Sequence, residues 1–303
     1  MKSTINIMLI LSAIIISISS CNNASNEERM FAEARDSVNY DGELPVAKEV
    51  VSDMIQNVTS PIEMASLIKA LNMPFSKNYL APTDNLEKYV TNFEQALALG
   101  IYGADLGYIN MYEKTSSVLA YISAMKDLAN ELKIGQFFDF NTLKDLATNS
   151  ENIDSLVYIS QRSFTKMDNY LRESQRSKLS SLMVTGVWIE GVCIASNVAL
   201  KSNNEEVAEK IGDQKVILKT LLIILENYKK DTKVIDLVNK LKELEVFFDQ
   251  VKISTIPGEP EMKEVNGSLC VIQNDITTIE ISPETLSSII NKSIAIRNSI
   301  INQ

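Results

Sequence analysis

Two acidic residues of this chain lie in stretches that are otherwise apolar. Asp105 lies in LALGIYGADLGY (residues 97–108) and Glu190 in TGVWIEGVCIA (185–195), and both stretches also carry glycines and aromatic residues. A carboxyl group in apolar surroundings must be hydrogen-bonded, paired with a base or protonated. Two such groups at a fixed separation can also act as general acid and general base, as they do in glycosidases.

Three interpretations of these acids are open. The first is structural: a tyrosine or a basic residue of a neighbouring helix satisfies each acid. The second is a ligand pocket between helices, in which a few polar groups stand among aromatic ones. The third is a carboxylate-dependent hydrolase. The candidate pocket consists of Tyr102, Asp105, Trp188 and Glu190. Partners for the two acids are expected among Tyr102, Tyr108, Tyr158, Tyr170, Trp188, Arg162 and Lys215.

The composition removes several classes of function. The chain has no histidine, which excludes His-based catalytic triads and imidazole metal ligands. It also lacks CxxC, HExxH, P-loop, GxGxxG and EF-hand motifs. We therefore predict no catalytic residues, no metal site and no cofactor, and an enzyme is the least favoured interpretation. The net charge of −10 argues against nucleic acid as a partner, because binding to a phosphate backbone requires basic patches.

The elements that position the two acids are expected to be helices, because apolar residues recur at helical spacing through most of the chain. The clearest stripes predict helices over 118–132 and 231–251. The segment 216–228 is apolar on nearly all sides and is expected at the centre of a bundle. A loop is predicted over 72–85, followed by a long helix that begins near Asp84.

The C-terminal part of the chain changes character. The stretch 254–268 is rich in proline and glycine and is expected to be a loop. It is followed by β-branched segments split at Asn274-Asp275, which predict a β-hairpin at about 265–281. Ser282-Pro283-Glu284 is typical of a helix start. The predicted fold class is all-α: a single multi-helix bundle over 43–303, with the small C-terminal β-hairpin and a final docking helix.

A weak internal similarity relates the two stretches that carry the acids. Gly100-Ile101-Tyr102 recurs 86 residues later as Gly186-Val187-Trp188. Either a duplicated helical hairpin, with halves over about 83–135 and 150–230, or a chance match accounts for it. The two acids do not align, because at this offset Glu190 falls opposite Ala104, one position before Asp105. Glycine within a helix costs about 1 kcal/mol relative to alanine, so these glycines indicate close packing, a kink or room for a ligand.

Two other features within apolar helices, a cysteine and a charged cluster, have plain interpretations. Cys193 is expected to be a buried apolar thiol, although pairing with Cys270 stays open. The cluster Asp213-Gln214-Lys215 opens the apolar segment. We interpret it as a hydrogen-bond network at a helix terminus or between helices.

The N-terminus carries the most specific motif of the sequence. Lys2 is followed by an apolar run over 5–18 and by Ser19-Ser20-Cys21, the order typical of a secretory signal peptide. Ile18-Ser19-Ser20-Cys21 resembles the bacterial lipobox, which implies a signal peptide over 1–20, lipidation of Cys21 and a polar tether over 21–42. An ordinary signal peptide with a chance cysteine is the alternative.

The whole mature chain resembles the uncharacterised all-helical envelope lipoproteins of the Bacteroidota type. The residues that carry this resemblance are ISSC, GIYGADLGY, TGVWIEG, IGDQKVILKTLLIILE and the segment from VNGS to SIAIRNSI. The resemblance implies an envelope lipoprotein with a helical bundle, and it implies no activity or site residues.

These observations together predict a lipid-anchored protein of the cell envelope, with the outer membrane favoured. The membrane is its first partner, through the N-terminal lipid. A small apolar or amphipathic ligand bound in the candidate pocket is the preferred function. The alternative is a structural or partner-interaction lipoprotein that contacts another envelope protein through an exposed apolar patch.

Overall fold

The helical pattern of the sequence becomes eight α-helices in the residues that the structure describes. The structure is a computed structural model that describes residues 68–302, apart from 85, 148–152, 203, 266–267, 273 and 275. The predicted signal peptide, Cys21 and the tether lie outside the described residues, as do residues 43–67 of the predicted domain. The helices are α1 (Asn92–Met111), α2 (Thr115–Glu131), α3 (Phe140–Ala147), α4 (Ile153–Glu173), α5 (Ser177–Ser202), α6 (Glu205–Glu226), α7 (Thr232–Phe248) and α8 (Pro283–Ile301).

The clearest sequence stripes are confirmed as buried faces. All the apolar positions of the 118–132 stripe are buried in α2, and those of the 231–251 stripe are buried on α7 and at Val251 just after it. Helix α8 begins as predicted, because the Ser282 side chain accepts a hydrogen bond from Thr285 N and Pro283 occupies the first turn. The predicted all-α bundle with a small β element is therefore the observed fold.

Helix α1 begins later than the sequence pattern led us to expect. Instead of starting near Asp84, it starts at Asn92 after a short 3-10 turn over Leu86–Lys88. The reason is a capping box in which Thr91 Oγ1 accepts from Glu94 N and the Glu94 carboxylate accepts from Thr91 N. A capping box satisfies two backbone donors at once and so fixes the helix start.

Helix α5 is the central element of the described fold. It contacts α1, α4, α6 and α8, and its residues from Leu179 to Ala199 are almost all buried. It is long and apolar enough to cross a membrane, but 89% of its apolar window is buried inside the protein. The segment 216–228, expected at the centre, lies instead in α6 beside α5, with several residues only half-buried.

Helices α1 and α5 touch backbone to backbone at two glycines. A Cβ atom at Gly100 would overlap Met183 O, and one at Gly186 would overlap Leu97 O. Each glycine thus meets the carbonyl three residues before the other glycine, which is the reciprocal contact of a local pseudo-two-fold axis. The two helices run in the same direction, so the residues that follow each glycine are also brought together.

The β-structure consists of two antiparallel two-stranded ladders rather than the short hairpin expected at about 265–281. Its strands are β1 (Lys252–Ile256), β2 (Glu261–Val265), β3 (Ser268–Ile272) and β4 (Ile276–Glu280). Strand β1 pairs with β4 and β2 pairs with β3, both antiparallel. The expected hairpin therefore covers only the returning strands. Only Asn266-Gly267 separate β2 from β3 in the sequence, and Asn-Gly is a strong hairpin signal.

Candidate functional site: a buried acid–arginine cluster

The two acids singled out in the sequence meet at the crossing of α1 and α5. Asp105 and Glu190 are both 0% exposed, and they lie close enough for Glu190 to raise the pKa of the Asp105 carboxyl. Asp105 follows Gly100 by five residues on α1, and Glu190 follows Gly186 by four on α5. The close approach of the two backbones at the glycines leads both side chains into the same buried space.

Arg297 of α8 supplies the base that this space requires. Its Nε donates to Glu190 Oε2 at 2.8 Å and its Nη2 donates to Glu190 Oε1 at 2.9 Å. This two-bond geometry is the strongest form of an arginine–carboxylate contact. Burial disfavours the charge of Arg297, but the Glu190 carboxylate outweighs it and raises the pKa of the guanidinium above its ordinary value. Glu190 and Arg297 are therefore an ion pair.

The hydrogen bonds of Asp105 differ from those of Glu190, and the pKa of Asp105 is shifted. Its Oδ2 accepts a hydrogen bond from Ala81 N at 3.0 Å, whereas no donor reaches Oδ1. Burial, and then the charge of Glu190, raise the pKa of Asp105 well above its ordinary value, and Arg297 only partly opposes them. A second carboxylate beside a single arginine is disfavoured in its ionised form out of water. The raised pKa of Asp105 therefore favours its protonated form beside the ion pair of Glu190 and Arg297.

The cluster holds a segment of backbone, the loop over 73–82. Arg297 Nη2 donates to Tyr79 O at 3.1 Å, and Asp105 accepts from the N–H of Ala81. Four tyrosine hydroxyls contact the same loop. Three of them donate to backbone carbonyl oxygens: Tyr121 to Ala81 O (2.7 Å), Tyr102 to Pro82 O (2.8 Å) and Tyr112 to Met73 O (2.7 Å). The fourth, the hydroxyl oxygen of Tyr108, accepts a hydrogen bond from Ser76 N (3.2 Å). Side chains of the bundle therefore satisfy six backbone groups of the loop.

Three of the four candidate pocket residues lie in this cluster and the fourth does not. Tyr102, Asp105 and Glu190 face the loop or each other, as described above. Trp188 precedes Glu190 by two residues, about 200° around the helix, and its Nε1 donates to Gln214 Oε1 on α6 at 3.0 Å. Among the expected partners of the acids, Lys215 binds elsewhere and Tyr158 is 59% exposed.

The interpretation of Asp213-Gln214-Lys215 as a network of helix contacts is confirmed for two of its residues. Gln214 joins α6 to α5 through Trp188. Lys215 Nζ donates to Asp249 O at 3.2 Å and Val251 O at 2.7 Å, at the C-terminal end of α7. A cation at this end of a helix interacts favourably with its free carbonyl groups.

Arg297 is the functional side chain that the sequence reasoning missed. It is the only arginine after Arg176. It also lies on the buried stripe of α8, among Ile290, Ser293 and Ile300. A permanent charge on an apolar stripe must have a buried partner. The position of Arg297 on an apolar stripe was therefore a signal in the sequence. It does not identify the partner, Glu190, which lies 107 residues earlier.

A thiol also lies near the cluster. Cys193 is buried and unpaired, and burial raises the pKa of its thiol. It is thus the buried apolar thiol that the sequence predicted. Among the described residues, no group of three or more Cys, Asp or Glu side chains is arranged to hold a metal ion.

The geometry defines an all-α bundle whose central helices enclose a buried acid–acid–arginine cluster. Comparison of the chain with protein-family models, curated proteins and solved structures finds no match.

Proposed function

We propose that this protein is a lipid-anchored lipoprotein of the cell envelope, at the outer membrane, whose bundle is a non-catalytic module that contacts another protein. One observation carries this proposal. The polar groups predicted to face a ligand are occupied within the fold: Glu190 by Arg297, Tyr102 by Pro82 O, and Trp188 by Gln214. Groups that already have internal partners favour a rigid scaffold over a small-molecule pocket.

The cluster also supports a non-catalytic role. A general acid or base must come within hydrogen-bond reach of the proton that it transfers. Asp105 and Glu190 are fully buried, and their contacts hold the loop over 73–82 and Arg297. A pair that is locked in this way stabilises the loop, and a substrate would have to displace that loop to reach it.

The anchor is inferred from the sequence, where the lipobox-like ISSC places Cys21 after an apolar run. Two or three acyl chains anchor a soluble domain stably. Metabolic labelling with a fatty-acid analogue, followed by fractionation, tests this inference in the Cys21→Ser variant. Loss of both the label and the membrane fraction in that variant is the expected result. A labelled Cys21→Ser protein, or an unlabelled parent, contradicts it.

A small-ligand module is the second candidate, and one observation favours it. Asp105 Oδ1 is buried and receives no hydrogen bond, in a region surrounded by Tyr89, Tyr102 and Tyr121. A ligand donor directed at this oxygen would satisfy it. In the protonated form that the raised pKa of Asp105 favours, a proton on this oxygen would satisfy it without a ligand.

Native mass spectrometry of the gently purified protein separates the two candidates. The partner-contact proposal predicts the bare protein mass. A reproducible extra mass, lost on denaturation and in the Asp105→Asn variant but kept in a Tyr158→Phe control, would make the ligand module the correct function. Cross-linking in envelopes of the native host then tests the proposal directly, and the absence of any cross-linked protein contradicts it.

A further inference from the structure

The bundle holds the loop over 73–82 through the backbone of the loop. The six hydrogen bonds described above all join a helix side chain to an N–H or C=O group of the loop. Among the described residues, no backbone–backbone hydrogen bond joins the loop to α1–α8. Backbone groups are common to nearly all residues, so contacts of this kind give affinity for an extended chain, and side-chain pockets add the specificity. The helices therefore hold the loop as a receptor holds a peptide.

The side chains that make these contacts belong to three helices and form one groove. It is defined here as Tyr102, Asp105, Tyr108 and Tyr112 of α1, Tyr121 of α2 and Arg297 of α8. None of these helices includes any part of the loop. Arg297 is also held by Glu190 of α5, independently of the loop. We therefore expect the groove to persist when the loop leaves it.

The fully buried part of the loop is short. It consists of three consecutive residues, Tyr79, Leu80 and Ala81, which are 5%, 6% and 0% exposed. The flanking Asn78 and Pro82 are exposed. Segments with few buried residues open at a lower free energy than core helices do. A second peptide can therefore replace the loop without unfolding of the bundle.

The first two buried positions accept an aromatic and an apolar side chain. The ring centre of Tyr79 lies 6.4 Å from that of Tyr108, and Lys201 Nζ lies over the Tyr79 ring at 5.1 Å from its centre. A cation over an aromatic face is attractive. Leu80 follows with extended backbone angles, φ −84° and ψ 153°.

The next two positions accept alanine and proline. Ala81 has no exposed surface, and its N–H donates to Asp105, so a longer side chain at this position would overpack the groove. Pro82 presents a carbonyl oxygen, which Tyr102 satisfies. Proline also disfavours helical angles in the residue before it and so keeps the chain extended.

We propose that the groove is a receptor for an extended segment of another protein, in which an aromatic residue, an apolar residue, alanine and proline follow one another, and that the loop over 73–82 occupies the groove in cis. The inference rests on the proposed function, of which it names the surface and the class of partner. The partner segment replaces the loop and takes over its backbone hydrogen bonds. Because the loop competes, the groove is open for only a fraction of the time, and the apparent affinity for the partner falls by that fraction.

A labelled peptide with the sequence of residues 73–84 is the probe. Its binding to the full chain is followed by fluorescence anisotropy, in the parent and in the Ala81→Glu variant, whose own loop no longer fits the groove. The expected result is saturable binding to the variant, tighter than binding to the parent by at least about tenfold. Asn78→Glu adds the same charge at an exposed position of the same loop. It is the matched control and should bind the peptide as the parent does.

Ala81→Val is a second variant, which keeps the test decisive if Ala81→Glu does not fold. Its two extra methyl groups overpack the same position more mildly, so it should also bind the peptide more tightly than the parent. Circular dichroism establishes which variants are folded. A folded Ala81 variant that binds the peptide no better than Asn78→Glu overturns the inference.

Two altered peptides test how the groove recognises a segment. One carries glutamate at the position of Ala81, and the other is N-methylated there and cannot donate to Asp105. Both should lose binding to the Ala81→Glu chain, and binding equal to that of the original peptide overturns the inference. Dimers of the parent in sedimentation velocity that are lost in Ala81→Glu overturn it in favour of a second copy, whose loop would enter the groove by exchange.

Cross-linking in solubilised host envelopes separates this inference from the function on which it rests. A partner that is cross-linked by the parent chain and displaced by excess peptide 73–84 supports both. A partner that persists in the presence of the peptide leaves the proposed function standing and overturns the role of the groove. If the parent chain gives no cross-linked partner, the proposed function fails, and the peptide assays alone decide whether the groove accepts an extended segment.

Discussion

Arg297 and Glu190 are 107 residues apart in the chain and meet in the core through two hydrogen bonds of 2.8 and 2.9 Å. Their side chains are 8% and 0% exposed. Through this contact the last helix of the chain is fastened to the central helix. Through the bond of Arg297 to Tyr79 O, the same residue fastens the loop over 73–82. One side chain therefore links three parts of the fold that are distant in sequence.

Breaking this ion pair from one side is expected to destabilise the protein strongly. Arg297→Met leaves Glu190 buried without a base, and such changes typically cost about 3–5 kcal/mol of unfolding free energy. Chemical denaturation of the purified domain measures this cost. Lys292 lies on α8 like Arg297, and it forms a partly exposed ion pair with Glu243 of α7. As a control, Lys292→Met should cost less than about 1 kcal/mol.

The double variant Glu190→Leu/Arg297→Met is expected to recover much of this loss, because replacing both charges with apolar groups leaves no unpaired charge. The two single costs should therefore not add. A double variant whose loss equals the sum of the single losses would show that the pair is not coupled, and it would remove the basis for treating the cluster as one unit.

Asp105→Asn tests whether Asp105 carries a proton. The folded state raises the pKa of Asp105 well above its ordinary value near 3.8, so above that pH the folded chain binds more protons than the unfolded one. The free energy of unfolding of the parent therefore falls as the pH rises towards the folded pKa, by up to about 1.4 kcal/mol per pH unit. Asparagine cannot titrate, so the variant should gain stability relative to the parent as the pH rises from 4 to 8.

Two readouts check this prediction. Denaturation curves at several pH values give the difference between parent and variant, in which the contributions of other titrating groups largely cancel. Infrared spectroscopy at neutral pH should also show the carbonyl band of a protonated carboxyl group in the parent and not in the variant. Parallel pH profiles together with the absence of this band mean that Asp105 is ionised.

The glycines of the α1–α5 crossing should be intolerant of alanine. Gly100→Ala and Gly186→Ala place a Cβ against backbone atoms of the other helix, and overpacking of this kind costs about 1–3 kcal/mol, beyond the gain in helix propensity. Gly191→Ala is the matched control, because its Cβ would meet no atom within 4 Å. It should stabilise the protein by up to about 1 kcal/mol. Thermal unfolding of the three variants tests the contrast, and equal shifts would contradict the close crossing.

The local spacing of apolar residues was sufficient to predict those helices that bury a single apolar face. The stripes of α2 and α7 were evident in the sequence because each buries one side of a regular helix. Another signal is equally local: the capping box of Thr91 and Glu94 places the start of α1.

The site was only half visible in the sequence, because its other half depends on which elements meet. Asp105 and Glu190 stood out as acids among apolar residues. That they touch follows from the parallel crossing of α1 and α5, and that Arg297 joins them follows from the docking of α8. Trp188 was grouped with them by its nearness in the chain. On a helix, however, a separation of two residues turns the side chain to the opposite side, and Trp188 contacts α6.

The tyrosine contacts predict that the loop over 73–82 can be loosened without unfolding the bundle. Tyr121→Phe removes the hydrogen bond to Ala81 O and leaves that buried carbonyl group unsatisfied, at a cost of about 1–3 kcal/mol. Because the ring itself is retained, the loss should be concentrated in the loop. Hydrogen exchange measured by mass spectrometry should show faster exchange in peptides covering 73–82 and little change in α7. Tyr158→Phe, at a position that is 59% exposed, is the control and should leave both regions unchanged. Equal exchange in the loop of Tyr121→Phe and of the parent would mean that the helices alone hold the loop in place, and that the buried cluster does not clamp it.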